Sequence, residues 1–228
     1  MALPKIDVPI FSITLPSNDQ VIKLRPFTVK EEKILLIANE TKDPQEVLNA
    51  VIQIANNCIL EDGVDAQSIP LVDLQYVFLQ LRSKSVGNIA EIMVTDEEDQ
   101  KQYKIEVDLD SVQIIKPEVN VPNVIQLTDE VGITLKYPTL DLARISQLTT
   151  EDLVLFCLVN IFDGDNVYEV SDNTEDELRE FISSMSTPHV EKIKEFLEGV
   201  PRLQYTVSYT TESGKEKTIE IGNINDFF

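Results

Sequence analysis

Hydrophobic spacing changes period along this chain, and that change sets what it can fold into. Val47, Leu48, Val51, Ile52, Ala55, Cys58 and Ile59 recur along one helical face, with Gln45, Glu46, Asn49, Gln53 and Asn56 opposite them. From Ile89 the period falls to two. Ile89, Glu91, Met93 and Thr95 alternate with Ala90, Ile92 and Val94. Beyond Asp96-Glu97-Glu98-Asp99, Tyr103, Ile105, Val107 and Leu109 alternate with Lys104, Glu106 and Asp108. A helical region followed by a β-hairpin is expected. Helical spacing returns near Leu140, and alternation returns at Leu203, Tyr205, Val207 and Tyr209. The pattern predicts an α+β fold of helices with antiparallel β-hairpins, in two loosely similar helix-then-hairpin halves. The expected division is 1–137 and 138–228, with one continuous domain as the alternative.

Local signals place the elements. Ile10, Phe11, Ile13 and Leu15 predict a short strand, Pro16-Ser17-Asn18-Asp19 a turn, and residues 21–24 a returning strand. Thr28 and Glu31 have capping-box spacing, so a helix begins there, with Leu35, Leu36 and Ile37 as its apolar face. Asp43-Pro44 starts the next helix. A third is expected over about 71–84. Leu74, Val77, Phe78 and Leu81 form one apolar side, Tyr76 and Leu79 a second. Such a helix is buried on both sides or serves an interface. Short strands are expected at 112–115, 124–127 and 133–137. Residues 153–162 read as one apolar helix after Thr149 or Thr150, broken by Asp163-Gly164-Asp165-Asn166. Thr174 with Glu177, and Thr187-Pro188, start two more helices before the terminal hairpin.

Charge removes several function classes. Against 40 Asp and Glu stand 19 Lys and Arg, a formal net charge of −21. That field repels phosphate backbones and anionic membrane surfaces, so no direct nucleic acid and no membrane partner is expected. No apolar run reaches the roughly 20 residues of a membrane span. The start, MALPKIDVPIF, lacks the pattern of a secretory signal. Two cysteines exclude a disulfide scaffold, so a soluble acidic protein of a reducing cytoplasm is expected.

Catalytic and metal chemistry find little purchase. The chain has one histidine, His189, and no phosphate-cradling glycine cluster, nucleophile elbow or H-E-x-x-H motif. Asp163-Gly164-Asp165-Asn166 resembles a calcium-loop fragment, but the ligand spacing fails and an ordinary loop is expected. Asp96 to Asp99 read as a solvated hairpin tip. Cys58 and Cys157 sit on apolar faces and read as core; four zinc ligands are not available. His189 reads as surface. No catalytic residue, metal or cofactor is assigned. The interaction signals are Tyr76, Phe78 and Leu79 on the doubly apolar helix, with Arg82 and Lys84 beside them. Phe227 and Phe228 either fold back on the core or enter a partner.

Several blocks together carry a resemblance. They are Leu15-Pro16-Ser17, Arg25-Pro26-Phe27 followed by VKEEKILL (29–36), DLQYVFLQLRSKSVG (73–87), Lys136-Tyr137-Pro138-Thr139 and Asp226-Phe227-Phe228. They resemble the baseplate hub protein family of T4-like contractile-tailed phages over nearly the whole chain, and residues 73–87 are the most specific piece. The resemblance implies a non-enzymatic virion-morphogenesis protein, a hub subunit acting by protein docking. Its alternative is a hub-assembly chaperone absent from the mature virion; a metal-dependent hydrolase is a remote third. Implied partners are other phage baseplate or tail hub proteins, with a second copy of the chain as a further class. The implied location is the host cytoplasm during assembly, and the tail baseplate if retained. Arg25, Pro26 and Phe27 join the third helix as expected docking residues. Some relatives carry cysteine pairs in the hairpins; here those loops read Asp96-Glu97-Glu98-Asp99 and Thr210 to Gly214, so no zinc is carried over. Those hairpins are then expected to rest on strand pairing alone.

Overall fold

The computed structural model describes residues 6–117, 121–143 and 149–221. In chain order the elements are β1 (Phe11–Thr14), β2 (Val21–Leu24), α1 (Val29–Thr41), α2 (Pro44–Cys58), α3 (Leu71–Ser85), β3 (Ile89–Thr95), β4 (Gln102–Asp108), β5 (Gln113–Ile115), β6 (Val124–Gln126) and β7 (Val131–Leu135). There follow α4 (Leu140–Ala143), α5 (Thr150–Cys157), β8 (Leu158–Asp163), β9 (Asn166–Glu169), α6 (Glu175–Ser183), α7 (Thr187–Glu198), β10 (Arg202–Thr210) and β11 (Glu216–Ile221). The strand pairings are all antiparallel, as the α+β expectation requires. Two compact units form: Met1–Ala66 with Val72–Ile115 and Arg202–Phe228, and Gln67–Leu71 with Lys116–Pro201. Residue 137, the expected boundary, lies inside the second unit.

In the first unit, β1 and β2 pair from Phe11 with Leu24 to Thr14 with Val21. Asp43 caps α2 by accepting from the Gln45 N–H at 2.9 Å, and Pro44 occupies the first turn, where a missing N–H costs nothing. Of the stripe seen in sequence, Val51, Ala55, Cys58 and Ile59 are buried, joined by Ala50 and Ile54, while Val47, Leu48 and Ile52 are half-buried at its edge. β3 and β4 make the expected hairpin, Ile89 opposite Asp108 through Thr95 opposite Gln102. Strand β10 is shared. Its first residues pair with β5, and Tyr205 to Thr210 pair with β11. Ala90, Ile92, Ile105, Val107 and Leu109 bury the inner face of the β3–β4 hairpin with Leu79 of α3 and Val207 of β10.

The second unit is a sheet in the order β6-β7-β8-β9, with a core that joins Ile125, Ile133, Leu135 and Leu158 to Val154 and Cys157 of α5, Leu178 and Ile182 of α6, and Ile193 and Phe196 of α7. Residues 153–162 do not form the single helix expected. Helix α5 stops at Cys157, and Leu158 begins β8, which pairs with β7 on one side and β9 on the other. Phe162 lies opposite Gly132, where a Cβ would stand 2.2 Å from its ring, so only glycine leaves room for that side chain. The 163–166 segment is the tight β8–β9 turn, with Gly164 at φ +57°.

Candidate protein-docking site

Arg25, Pro26 and Phe27 lead from β2 into α1, and the structure ties each down. The Arg25 backbone N–H donates to the Cys58 carbonyl at 3.0 Å, which fastens the end of β2 to the end of α2. Arg25 Nη2 donates to Glu31 Oε1 at 2.8 Å, and its Nη1 to the Pro26 carbonyl at 3.0 Å. Glu31 Oε2 accepts from the Thr28 N–H at 2.7 Å and from its hydroxyl at 2.5 Å, completing the expected capping box. Glu31 is thus a buried carboxylate that accepts three hydrogen bonds, one at Oε1 and two at Oε2. Burial pushes its pKa up, but the hydrogen bonds from Arg25 and Thr28 outweigh that and hold it down at about 2. Phe27 is buried, and its N–H donates to Ser85 Oγ at 2.9 Å. The Arg25-Pro26-Phe27 entry and the end of α3 therefore meet.

Helix α3 is buried on both apolar sides. Leu74, Val77, Phe78 and Leu81 are enclosed, and so is Leu79, which faces the β3–β4 hairpin with half-buried Tyr76. Of the two readings open for a doubly apolar helix, burial on both sides is the one found. Asp73, also buried, accepts from the Ser17 N–H at 2.9 Å and from the Ser17 hydroxyl, holding the β1–β2 turn. Lys84 reaches Asp110 at 3.6 Å across an exposed surface, and Ser83 Oγ donates to the same carboxylate at 2.7 Å. Arg82 is half-buried; its Nη1 is enclosed without a hydrogen-bond partner among the described residues, and burial lowers its pKa. Burial, followed by the charge of Asp110, raises the Tyr76 phenol. Phe227 and Phe228 lie outside the described residues.

The exposed apolar surface beside this entry belongs to α1. Its buried residues are Glu31 and Ala38, not the expected Leu35, Leu36 and Ile37. Three consecutive residues span most of a helical turn and cannot share one face. Val29, Leu36 and Ile37 are 66%, 57% and 64% exposed. Their spacing (i, i+7, i+8) puts them on one stripe, with exposed Lys33 and Glu40 on the same stripe.

The two hairpin tips of the first unit correct another expectation. Asp96 is buried rather than solvated. It accepts from Tyr209 at 2.6 Å, from Lys217 Nζ at 2.7 and 2.8 Å, and from the N–H groups of Glu98 and Asp99. Lys215 pairs with Glu98 at 2.8 Å, Lys101 with Glu212, and the Tyr103 and Tyr209 rings stand 5.3 Å apart. The tips are clasped side chain to side chain, beyond strand pairing alone. Lys217, Tyr209 and the two backbone donors hold the Asp96 carboxyl far below the usual range. A depressed pKa contributes stability that is complete above the ordinary value near 3.8 and is lost as pH falls further. Near-UV circular dichroism from the paired tyrosines is expected to hold from about pH 7 to about pH 4. In Asp96→Asn it is expected to collapse already at neutral pH; an unchanged spectrum would show that the clasp does not need the carboxylate.

The remaining polar candidates take local roles. His189 is half-buried and its Nδ1 accepts from the Ser186 N–H at 3.3 Å, closing the start of α7. Cys58 and Cys157 are buried free thiols, and burial pushes both up to about 11, so neither is a nucleophile near neutrality. Among the described residues no group of three or more His, Cys, Asp or Glu could hold a metal, and no helix is long and apolar enough to cross a membrane.

Comparison with known families decides the context of this geometry. The model of the T4 bacteriophage base plate protein family matches residues 8–228. The chain belongs to that family. Membership points to a structural role in a phage tail base plate, among other base plate proteins, and agrees with the resemblance carried by residues 15–17, 25–36 and 73–87. No curated protein and no solved structure matches the chain. In this base plate protein, then, Arg25, Phe27, Phe78 and Leu79 spend their contacts on the chain itself.

Proposed function

We propose that this base plate protein is a hub subunit that works by docking, with no covalent step. The single observation that supports it most is the α1 stripe. Val29, Leu36 and Ile37 are each more than half exposed, on a helix whose first turn is tied by the bond from the half-buried Arg25 to the buried Glu31. A helix with an apolar stripe that no described residue covers is the form a helix-in-groove contact takes. Lys33 and Glu40 on this stripe, with Lys30 beside it, give it charges of both signs on an otherwise acidic chain. The occupant is a groove on a neighbouring base plate protein. Arg82 and Lys84, at the end of α3, are polar candidates for the same role.

The test is a double substitution, Leu36→Glu with Ile37→Glu. Both positions are exposed, so folding stability is expected to change by no more than about 0.5 kcal/mol each. Incorporation into assembled base plates is expected to fall at least about tenfold, equivalent to about 1.4 kcal/mol of lost binding. Mass spectrometry of purified virions reads it. Wild-type incorporation of the variant would overturn the α1 contact. Absence of the unmodified chain from purified virions would replace the subunit reading with the hub-assembly chaperone, a role in which a charge of −21 keeps an apolar client soluble.

A further inference from the structure

The second unit carries a groove that none of this explains. It lies between strands β7, β8 and β9 and helix α6, lined by Val131, Ile161, Tyr168, Leu178 and Phe181, with Asp163 and Glu177 at its polar edge. Its volume is about 320 Å³. That is the lower end for ligand pockets and suits one bulky side chain better than a large cofactor. Tyr168 stands on β9, which has its only strand partner, among the described residues, in β8, and which is exposed along its length.

Charge selects the occupant. Residues 161–181 hold eight acidic side chains and one basic one, so this short stretch carries seven of the chain's 21 net negative charges. The basic one, Arg179, is committed. It reaches Asp152 at 2.8 Å, Glu175 at 2.9 Å and Glu151 at 3.6 Å. Glu177 is engaged in capping Thr174, whose N–H it accepts at 2.9 Å. The apolar floor therefore meets Asp163 and Glu177 at its edge within a strongly acidic stretch, with no free cation on these elements. An acidic segment, including one from a second copy of this chain, would meet repulsion there.

We propose that this groove receives a bulky apolar side chain flanked by lysine or arginine, carried on an exposed segment of a partner base plate protein. The apolar side chain fills the space between Ile161, Tyr168 and Phe181, and its basic neighbours answer Asp163 and the acidic first turn of α6. Such an arrangement, an anchor in a pocket with a charged rim, concentrates binding energy in few residues. The proposal rests on the docking reading for the source of its partner, but it uses a different surface from α1.

The test uses the full chain and three synthetic peptides, acetyl-GKKFKKG-amide, acetyl-GKKAKKG-amide and acetyl-GEEFEEG-amide, followed by amide chemical shifts. The Lys-Phe peptide is expected to shift the signals of Val131, Ile161, Tyr168 and Phe181 and to bind at least about tenfold tighter than the other two. Tyr168→Ala, at an exposed position, and Asp163→Lys are each expected to weaken it severalfold while leaving the remaining spectrum intact. Equal binding of the Phe and Ala peptides, or shifts scattered over the acidic surface, would reduce the effect to bulk charge and overturn the groove. Concentration-dependent self-association abolished by Tyr168→Ala would make a second copy the occupant and overturn it too. None of these readouts involves an assembled base plate, so a failure here is separable from a failure of the α1 contact.

Discussion

Replacing Phe78 by alanine is expected to lower the stability of the chain by about 3–5 kcal/mol, the cost of deleting a buried aromatic ring. Phe78 is 1% exposed, in the middle of α3, and its neighbours Leu74, Val77 and Leu81 are as deeply enclosed. Alanine keeps the helix propensity, so the loss comes from transfer and cavity, with no backbone contribution. The Cys58 thiol, in the same unit as Phe78, offers a second readout, because it is shielded in the native state. It is expected to become alkylated at lower denaturant in the variant. Lys84→Ala on the same helix is the control. Its partner Asp110 is exposed and 3.6 Å away, so the change is expected to stay within about 1 kcal/mol. A Phe78→Ala protein with unaltered denaturation and lost base plate incorporation would mean that Phe78 meets a partner in another conformation.

The contrast between α3 and α1 shows how far the sequence carries. The α2 stripe from Val47 to Ile59, the capping boxes at Thr28 and Thr174, and the β3–β4 alternation were legible because the deciding interactions lie within a few residues. The run 153–162 was not. Ten mostly apolar residues without a breaker look like a helix. Pairing of Leu158–Asp163 with β7, more than twenty residues earlier in the chain, makes the second half a strand. Asp96 was misread for the same reason. Beside Glu97, Glu98 and Asp99 it looks solvated, and only Lys217 and Tyr209, far along the chain, bury it. The family resemblance named Arg25, Phe27 and α3, which the Phe27–Ser85 bond joins, as docking residues. It had no means of separating residues that build a surface from those that present it, since both are apolar. The outward stripe of α1 is visible only once Glu31 is seen to occupy its buried side.

That buried carboxylate gives the other large effect. Arg25→Met is expected to destabilise the chain by about 3 kcal/mol near neutral pH, the low end for removing one partner of a buried ion pair, since the Arg25 side chain is itself 22% exposed. Methionine keeps much of the arginine stem's packing, so the loss is electrostatic. In the native chain the Arg25 and Thr28 bonds hold Glu31 at about 2, below its ordinary 4.5. Its contribution is therefore fully present above about pH 4.5 and is lost as pH falls through about 2. Without Arg25, burial is opposed by Thr28 alone, and Glu31 takes up its proton at higher pH. The gap in stability between native and variant chains is therefore expected to be largest near neutrality and to shrink steadily as pH falls toward about 3. Urea denaturation across that range measures it. A gap independent of pH would place the role of Arg25 in packing. The companion change Glu31→Gln on the Arg25→Met background is expected to recover part of the loss at neutral pH, because a neutral amide can still accept from Thr28 and no charge remains buried.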